Sequence, residues 1–505
     1  MIFSSSIFLF LFLPTILVFY FLSPKKIKNL VLLIASLFFY AWGEMQYIWV
    51  LLISIIGNYF FGILIRKFLD EKKSINLKLI PFPIMLLLCN RLRIKDSQDT
   101  NLHLKMGVGI IISVAITFNL LLLGYYKYAN FLIDNFNHLL NLNIVYRKVH
   151  LPIGISFFTF HSISYIVDIY RRKVVPQKNI FDLALYISLF PQLVAGPIVR
   201  YNAIVNYLDG SKRRHNWFIA AYGVRRFIIG LGKKVILANP LGEIADAVFA
   251  LPVNDISTSL AWMGIFCYSL QIFYDFSGYS DMAIGLARIF GFKFTENFNY
   301  PYISRSIKEF WRRWHISLSS WFRDYLYIPL GGNKCGIYRQ YFNLILVFFL
   351  CGFWHGASWS FIVWGLFHGS FLVLERTRFG DLIQKLPGVV GNFYAILIVI
   401  FGWVFFRSPD LTYAASYLYS MFGGAEVSTI PGEIGKLINS HFNKMIMVIA
   451  IFMIAPVSTI ITKKLSLKKL IIFSYLRDFW LIFVLIAILI RLAAGTHNPF
   501  IYFQF

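Results

Sequence analysis

The sequence predicts an all-α, polytopic membrane protein, with about ten to twelve transmembrane helices plus re-entrant and interfacial helices. Three observations predict it. Of 505 residues, 58% are hydrophobic and 19% aromatic against 14% charged, and the mean hydropathy of +0.67 lies far from the soluble average. The apolar residues come in long runs. The lysines and arginines behind a formal net charge of +25 sit in short clusters at the ends of those runs. In a soluble chain such a charge would suggest nucleic acid. Here it follows the positive-inside pattern, so it reports topology, and no nucleic-acid partner is expected.

The first run, Ile7 to Leu22, has no basic residue before it and Lys25, Lys26 and Lys28 after it. It reads as a retained span with the N-terminus outside, since a positive n-region and a cleavage site are missing. Leu30 to Trp42 returns outward, and Tyr47 to Ile65 comes back to Arg66, Lys67, Lys72 and Lys73. LIPFPIMLLLC, residues 79–89, is too short to span and carries two prolines, so an interfacial or re-entrant piece is expected. Met106 to Gly124 goes out, and Ile153 to Tyr170 returns to Arg171, Arg172 and Lys173, carrying His161 and Asp168. Asp168, beside that basic exit, reads as an ion-pair partner. Further runs cover Phe181 to Val199, Ala220 to Leu237, Leu260 to Ile289, Tyr394 to Phe406, Met445 to Ile461 and Phe479 to Leu492. No linker divides them, so residues 1–505 read as one membrane domain. Cys89, Cys267, Cys335 and Cys351 show no metal spacing and read as unpaired.

Polar residues gather in the middle third. Asp275 and Asp281 interrupt an apolar run, six residues apart and therefore on different faces of an unbroken helix. They suit helix capping or a wet cavity better than paired acid–base work. Downstream, Ile307, Trp311, Trp314, Leu318 and Trp321 form one stripe at helical spacing, with Lys308, Arg312, His315 and Ser319 on the adjoining face. That pattern predicts a basic helix in the membrane interface, with His315 on the border between wet and dry.

The stretch Tyr341 to Glu375 is apolar on both sides of a short HGAS break. As one helix of 35 residues it would be ~52 Å long, too long for a hydrocarbon core of ~30 Å. A break between Gly352 and Gly356 is expected, leaving His355 near mid-membrane, where an ionisable side chain points to function. His368, between Gly365 and Gly369, fits a packing role, and that GxxxG pair reads as a helix contact.

His355 and His315 are the catalytic candidates. Trp354, Trp359, Trp314, Asp275 and Asp281 are the candidates for substrate contact. With no metal cluster or phosphate loop in the sequence, no cofactor is expected, and one reaction class fits well. A neutral imidazole can take the proton of a hydroxyl as it attacks an activated acyl group. Tryptophan N–H, serine or backbone N–H groups can stabilise the oxyanion. His355 could instead be the nucleophile that carries the acyl group. The residues leave both open.

YDFSGYSDMAIGLARIFGF, ENFNYPYISRSIKEFWRRWHISLSSWFRDYLYIPLGGN and LCGFWHGASWSFIVWGLFHG resemble the signature stretches of the membrane-bound O-acyltransferase (MBOAT) superfamily, in its bacterial branch that O-acetylates alginate and peptidoglycan. The resemblance extends to FSSSIFLFLFLP, PIGISFFTFHSISYIVDIYR, FPQLVAGPIVRY and the closing NPFIYFQF, and so covers most of the chain. It implies helices around a thinned centre crossed by a funnel or tunnel, with His355 as the family's invariant histidine and His315 as the second one. It also implies a place in a bacterial cytoplasmic membrane and acetyl-CoA as a donor substrate reached from the cytoplasm. Acetyl would be delivered outside for O-acetylation of a polysaccharide, preferably peptidoglycan at the muramic acid hydroxyl, with alginate or another exopolysaccharide next. Without a soluble domain to hold a glycan, a periplasmic acetyltransferase partner is expected. Two rival readings remain: a transporter using Asp275, Asp281 and His355, and an anchor for an envelope enzyme.

Overall fold

The computed structural model describes residues 1–70, 100–210, 213–214, 216–424, 430–457 and 466–495. The expected piece at 79–89, Cys89 and the closing NPFIYFQF lie outside them. All regular structure among the described residues is helical. The helices that carry the argument are α1 (Lys28–Glu44), α2 (Ile48–Asp70), α3 (Thr100–Leu140), α4 (Ile155–Tyr170), α5 (Trp217–Gly232), α6 (Thr258–Ile289), α7 (Ile307–Arg313), α8 (Ile316–Phe322), α9 (Ile337–His355), α10 (Trp359–Leu374) and α11 (Gly388–Arg407).

Among the described residues, four segments are long and apolar enough to cross a membrane: Lys28–Leu69, Gly107–Leu140, Ile337–His355 and Gly388–Arg407. Phe8–Leu22, Trp359–Leu374 and His441–Met453 are shorter apolar helices. Fewer segments therefore qualify by length than the runs predicted, because several runs are cut. Phe181 to Val199 is one: Ile180–Ser188 is followed by a four-residue turn, Phe190–Leu193, with Pro191 inside it. Residues 183–199 are all buried, so this segment is core and not a lipid-facing span.

The centre is α6, almost wholly buried, with α5 along one side and α11 on another. The sequence suggested an interruption at Asp275 to Asp281, but α6 runs unbroken through 32 residues. Its close neighbour explains why. A Cβ on Gly278 would lie 2.7 Å from the Gly230 carbonyl oxygen, and one on Gly230 would lie 2.5 Å from that of Gly278. Backbones this near bring the short Asp275 and Asp281 side chains within reach of cations on and just after α5.

On the other flank α2, α3 and α4 pack together. Then α9 and α10 fold back on each other, with Gly352 set against Gly365 and the Phe361 carbonyl. The GxxxG reading thus describes this packing: Gly365 meets α9 at Gly352 and Phe348, and Gly369 meets Phe348. Cys267 and Cys351 are buried free thiols, and Cys335 is a half-buried one.

Candidate active site

The break expected in the central stretch falls immediately after His355. Helix α9 ends there because Gly356 is extended (φ −162°, ψ 150°), and α10 starts at Trp359. A helix end leaves carbonyls without intrahelical partners. Here they are met from α3. The Lys127 ammonium donates to the carbonyl of Trp354 at 2.5 Å, to that of His355 at 3.2 Å and to Ser156 Oγ at 3.3 Å. The next residue, Tyr128, donates its hydroxyl to the Phe353 carbonyl at 3.0 Å and stacks on that phenyl ring. A cation at a helix C-terminus is also favoured by the helix dipole. Sequence reasoning missed Lys127, although a lone lysine within an apolar run, GYYKYANF, was a visible signal.

The His355 ring is buried among Trp354, Trp364 and Phe406, at centroid distances of 4.9, 5.1 and 5.2 Å. His315 also faces Trp354, at 6.5 Å, with Phe276 at 4.6 Å on another side. One indole thus touches both imidazoles.

His315 corrects the sequence reading. The stripe of Ile307, Trp311, Trp314, Leu318 and Trp321 has the expected phase, but these residues are inside the protein. The helix breaks at the histidine. His315 has left-handed backbone geometry (φ 42°, ψ 54°) between α7 and α8, a conformation that costs a non-glycine residue roughly 1 kcal/mol or more. It is 1% exposed, so it does not lie at a wet border.

Its tautomer follows from its neighbours. Asn297 Nδ2 donates to Ser280 Oγ at 3.0 Å, while Asn297 Oδ1 accepts the Ser317 N–H at 3.1 Å and the Ser317 hydroxyl at 2.9 Å. The amide orientation is thereby set, and Oδ1 stands 3.2 Å from His315 Nδ1. An amide oxygen only accepts, so Nδ1 carries the proton and Nε2 the lone pair. Nε2 has no hydrogen-bond partner among the described residues. The indole N–H groups of Trp354, Trp364 and Trp311 are likewise uncommitted there. The arrangement offers a buried base with its second nitrogen clamped, a second imidazole across one indole, and donors for a developing oxyanion. Asn297 is the second residue that sequence reasoning missed; it lies in the quoted ENFNYP stretch, but only the fold brings it to His315.

The other expected contacts go elsewhere. Trp314 is buried, with its ring packed on Phe310, Phe298 and Trp403. Trp359 is 54% exposed, donates to Asn135 and packs on Phe131. Asp275 pairs with Lys234 at 2.8 Å, both side chains buried. Asp281 takes Lys233 at 2.7 Å and Arg226 at 2.6 Å. Both carboxylates therefore tie α6 to the end of α5 and the turn after it, since a buried charge is tolerable only when paired. His368 is fully buried against Trp311 and Trp364 and close to Gly402, a packing position behind the Trp364 that touches His355. Asp168 accepts the Tyr325 hydroxyl at 2.9 Å and makes no direct ion pair among the described residues.

Among the described residues, no group of three metal-ligating side chains is arranged to hold an ion.

Residues 116–406 match the membrane-bound O-acyltransferase family. The chain is 41% identical to the probable alginate O-acetylase AlgI of Azotobacter vinelandii, over 84% of this chain and 78% of that protein. It is 37% identical to the probable alginate O-acetylase AlgI of Pseudomonas putida over the full length of both. It is 34% identical to the peptidoglycan O-acetyltransferase of Helicobacter pylori, over 88% of this chain and 85% of that protein. The matched segment contains Lys127, Asn297, His315, His355 and Trp364.

Proposed function

The chain belongs to the membrane-bound O-acyltransferase family, and from that premise we propose that it moves acetyl from a cytoplasmic thioester donor to an extracytoplasmic polysaccharide. It is an acyltransferase, and the transport and anchor readings of the sequence give way to that. We place it in the cytoplasmic membrane with its N-terminus outside, from the distribution of basic residues. Acetyl-CoA is the proposed donor. A separate periplasmic acetyltransferase partner is proposed to receive the group, because a long glycan cannot enter the bilayer.

The observation that carries the chemistry is the Nε2 of His315, without a hydrogen-bond partner among the described residues, opposite an Nδ1 held by Asn297. Nε2 removes the proton of the incoming hydroxyl, carried by the partner that receives the acetyl and not by the polysaccharide itself, as its oxygen attacks the thioester carbonyl. The C–O bond forms, the C–S bond breaks, and the thiolate leaves and takes a proton. The indole N–H groups of Trp354 and Trp364, which flank His355, are placed to stabilise the oxyanion between those events. If the acetyl rests on the enzyme, His355 is the ring proposed to hold it, and protein incubated with labelled donor, rapidly denatured at neutral pH because an acyl-imidazole hydrolyses in acid, would then carry label at His355.

For the acceptor, the higher identity to the alginate-named relatives favours an alginate-like exopolysaccharide, while the relative named for peptidoglycan supports the muramic acid hydroxyl as the second reading. The test is ester-linked acetate released by mild base from exopolysaccharide and, separately, from peptidoglycan. Cells making the wild-type chain are compared with cells making His355→Ala at equal membrane abundance. Loss from one polymer identifies the acceptor. Unchanged acetate in both would overturn the proposal.

A further inference from the structure

Where the helix Leu13–Leu22 gives way to α1, cations gather with little to neutralise them. Lys28 is only 9% exposed, yet its ammonium makes no ion pair or hydrogen bond among the described residues. It lies over the rings of Tyr20 and Phe21, at 4.7 and 5.6 Å from their centroids. Arg213, in the segment that follows the helix Tyr201–Leu208, sets its guanidinium over the Phe292 ring at 4.2 Å. Its Nε and Nη2 are buried without a hydrogen-bond partner among the described residues. Arg213 and the exposed Lys25 both repel Lys28. Asp182 is a carboxylate that acts on Arg213, but its two oxygens are taken by the amides of Asn29, at 2.7 Å, and Asn179, at 3.2 Å.

The fold holds these groups together despite their repulsion. The Tyr20 hydroxyl donates to the Phe290 carbonyl at 2.7 Å, just past the end of α6, and Asn29 also donates to the Leu208 carbonyl at 2.8 Å. Lys28 stands at the first position of α1, whose N-terminus has no side-chain cap and no acidic residue in its first turn. The first N–H groups of a helix lack intrahelical partners and carry the positive end of its dipole. An ammonium, two guanidinium nitrogens and a helix N-terminus are all donors suited to an anion. Among the described residues no acceptor serves the ammonium, Nε or Nη2.

The surroundings say which anion fits. By the positive-inside pattern this end of the first span is cytoplasmic. Beside the cations, Phe21, Leu22, Ile27 and Leu30 are 48%, 80%, 45% and 44% exposed, so the cluster stands on the lipid-facing rim of the protein. A cationic recess bordered by exposed apolar side chains matches the two parts of a phospholipid, its phosphate and its acyl chains. A soluble phosphate would meet the cations and leave the apolar border unused.

We infer that Lys28, Arg213 and the first turn of α1 form a binding site for the phosphodiester headgroup of an anionic phospholipid in the cytoplasmic leaflet, with its acyl chains along Phe21, Leu22 and Leu30. The guanidinium fork pairs with phosphate oxygens while its face stays on the Phe292 ring, and the ammonium adds a point charge from the other side. A bound headgroup replaces the repulsion between Lys28 and Arg213 with two attractions, and so fastens the first span and α1 to the end of α6. The site is separate from the histidines and stands apart from the acyl-transfer reading.

The test uses purified full-length protein, with phosphatidylglycerol binding read by native mass spectrometry and thermal unfolding read in nanodiscs of phosphatidylcholine with and without phosphatidylglycerol. Wild type is compared with Lys28→Gln, Arg213→Gln, the charge-keeping Lys28→Arg, and Lys26→Gln, which removes an exposed lysine two residues away. In phosphatidylcholine alone the two neutralised site variants are expected to melt at or above the wild-type temperature, because each removes a repulsion. Phosphatidylglycerol should raise the melting temperature of wild type and Lys28→Arg and leave those two variants nearly unmoved. The first phosphatidylglycerol should bind each of them roughly tenfold or more weakly, whereas Lys26→Gln should lose no more than the about fivefold that one surface charge is worth. Equal phosphatidylglycerol affinity in wild type and both neutralised variants overturns the site. An equal loss in Lys26→Gln also overturns it, since the attraction is then diffuse. Inorganic phosphate and CoA, titrated in phosphatidylcholine nanodiscs, separate the soluble sources of phosphate. Stabilisation by either, lost in Lys28→Gln and Arg213→Gln and with no effect of phosphatidylglycerol, overturns the lipid assignment.

Discussion

Lys127 of α3 donates to the backbone carbonyl of His355, the last residue of α9, and at 2.5 Å to that of Trp354 before it. The ammonium thus ends the helix at the histidine. In a low-dielectric interior, two carbonyls left without a donor cost about 1–3 kcal/mol each, and the chain after His355 would be freed to shift. A methionine at position 127 fills much of the volume without donating; glutamine restores part of the bonding. Activity is expected to fall in the order wild type, Lys127→Gln, Lys127→Met, with the last at least ~10-fold down because reacting groups tolerate little misplacement. Acetyl transfer per milligram of folded protein, read beside thermal stability, checks it. Equal activity for Lys127→Met and wild type would remove Lys127 from the positioning of His355.

His315 makes a different test available, because its backbone already has the geometry glycine prefers. His315→Gly relieves backbone strain while removing the imidazole. The variant is expected to fold at wild-type abundance, to lose about 10²- to 10⁴-fold in transfer rate, and to regain part of it with added imidazole. A folded variant that free imidazole does not help argues against a general base at this position.

Asn297 holds the protonated nitrogen of that ring, so its replacements should change the pH profile. Asn297→Ala removes the acceptor for Nδ1–H and is expected to cost much of the rate at every pH. Asn297→Asp keeps the acceptor but adds a negative charge, which favours the protonated imidazolium. Since the base must be neutral to act, the acid side of the rate profile should move to higher pH in Asn297→Asp. A shift to lower pH, or none, would mean that the titrating group is elsewhere.

The sequence carried the parts of this protein that follow from runs and periods. The break after His355 was legible because a helix through the 35-residue stretch Tyr341 to Glu375 would exceed a membrane's thickness, and the Gly365 packing face because small residues stood four apart. The stripe from Ile307 to Trp321 kept its phase, yet its break at His315 was not legible, since no glycine or proline marks it and the backbone strain is sustained by tertiary contacts. Lys127 and Asn297 lie 228 and 18 residues from the histidines they serve, and no local spacing points across such gaps. Asp275 and Asp281 misled for the converse reason. Intramembrane carboxylates suggest chemistry, but their cations approach through glycine contacts that only the fold reveals.

For Asp275 the consequence can be measured. Its pair with Lys234 is buried on both sides, so Asp275→Asn leaves an ammonium without its counter-charge, at a cost of roughly 3–5 kcal/mol. The expected result is a large drop in folded protein with little change in turnover per folded molecule. The double variant Asp275→Leu, Lys234→Met removes both charges and should recover much of the yield. Full folding of Asp275→Asn with loss of turnover alone would return Asp275 to the substrate-contact role suggested by the sequence.

Trp354 and Trp364 both lie against His355, and both indole N–H groups are uncommitted among the described residues. They differ in what else they touch. Trp354 also packs on Phe157, Phe160 and His315, so changing it disturbs all three. Trp364 packs on Trp311, His368, Trp403 and Phe406, a rigid aromatic layer that should accept phenylalanine with modest loss of stability. Removing one oxyanion donor typically lowers kcat by about 10²- to 10³-fold, and it acts in the transition state without weakening donor binding. Trp364→Phe is therefore expected to lower kcat with KM for the acyl donor nearly unchanged. A rise in KM at constant kcat would show instead that this indole binds the donor in its ground state, and the oxyanion role would then fall to Trp354.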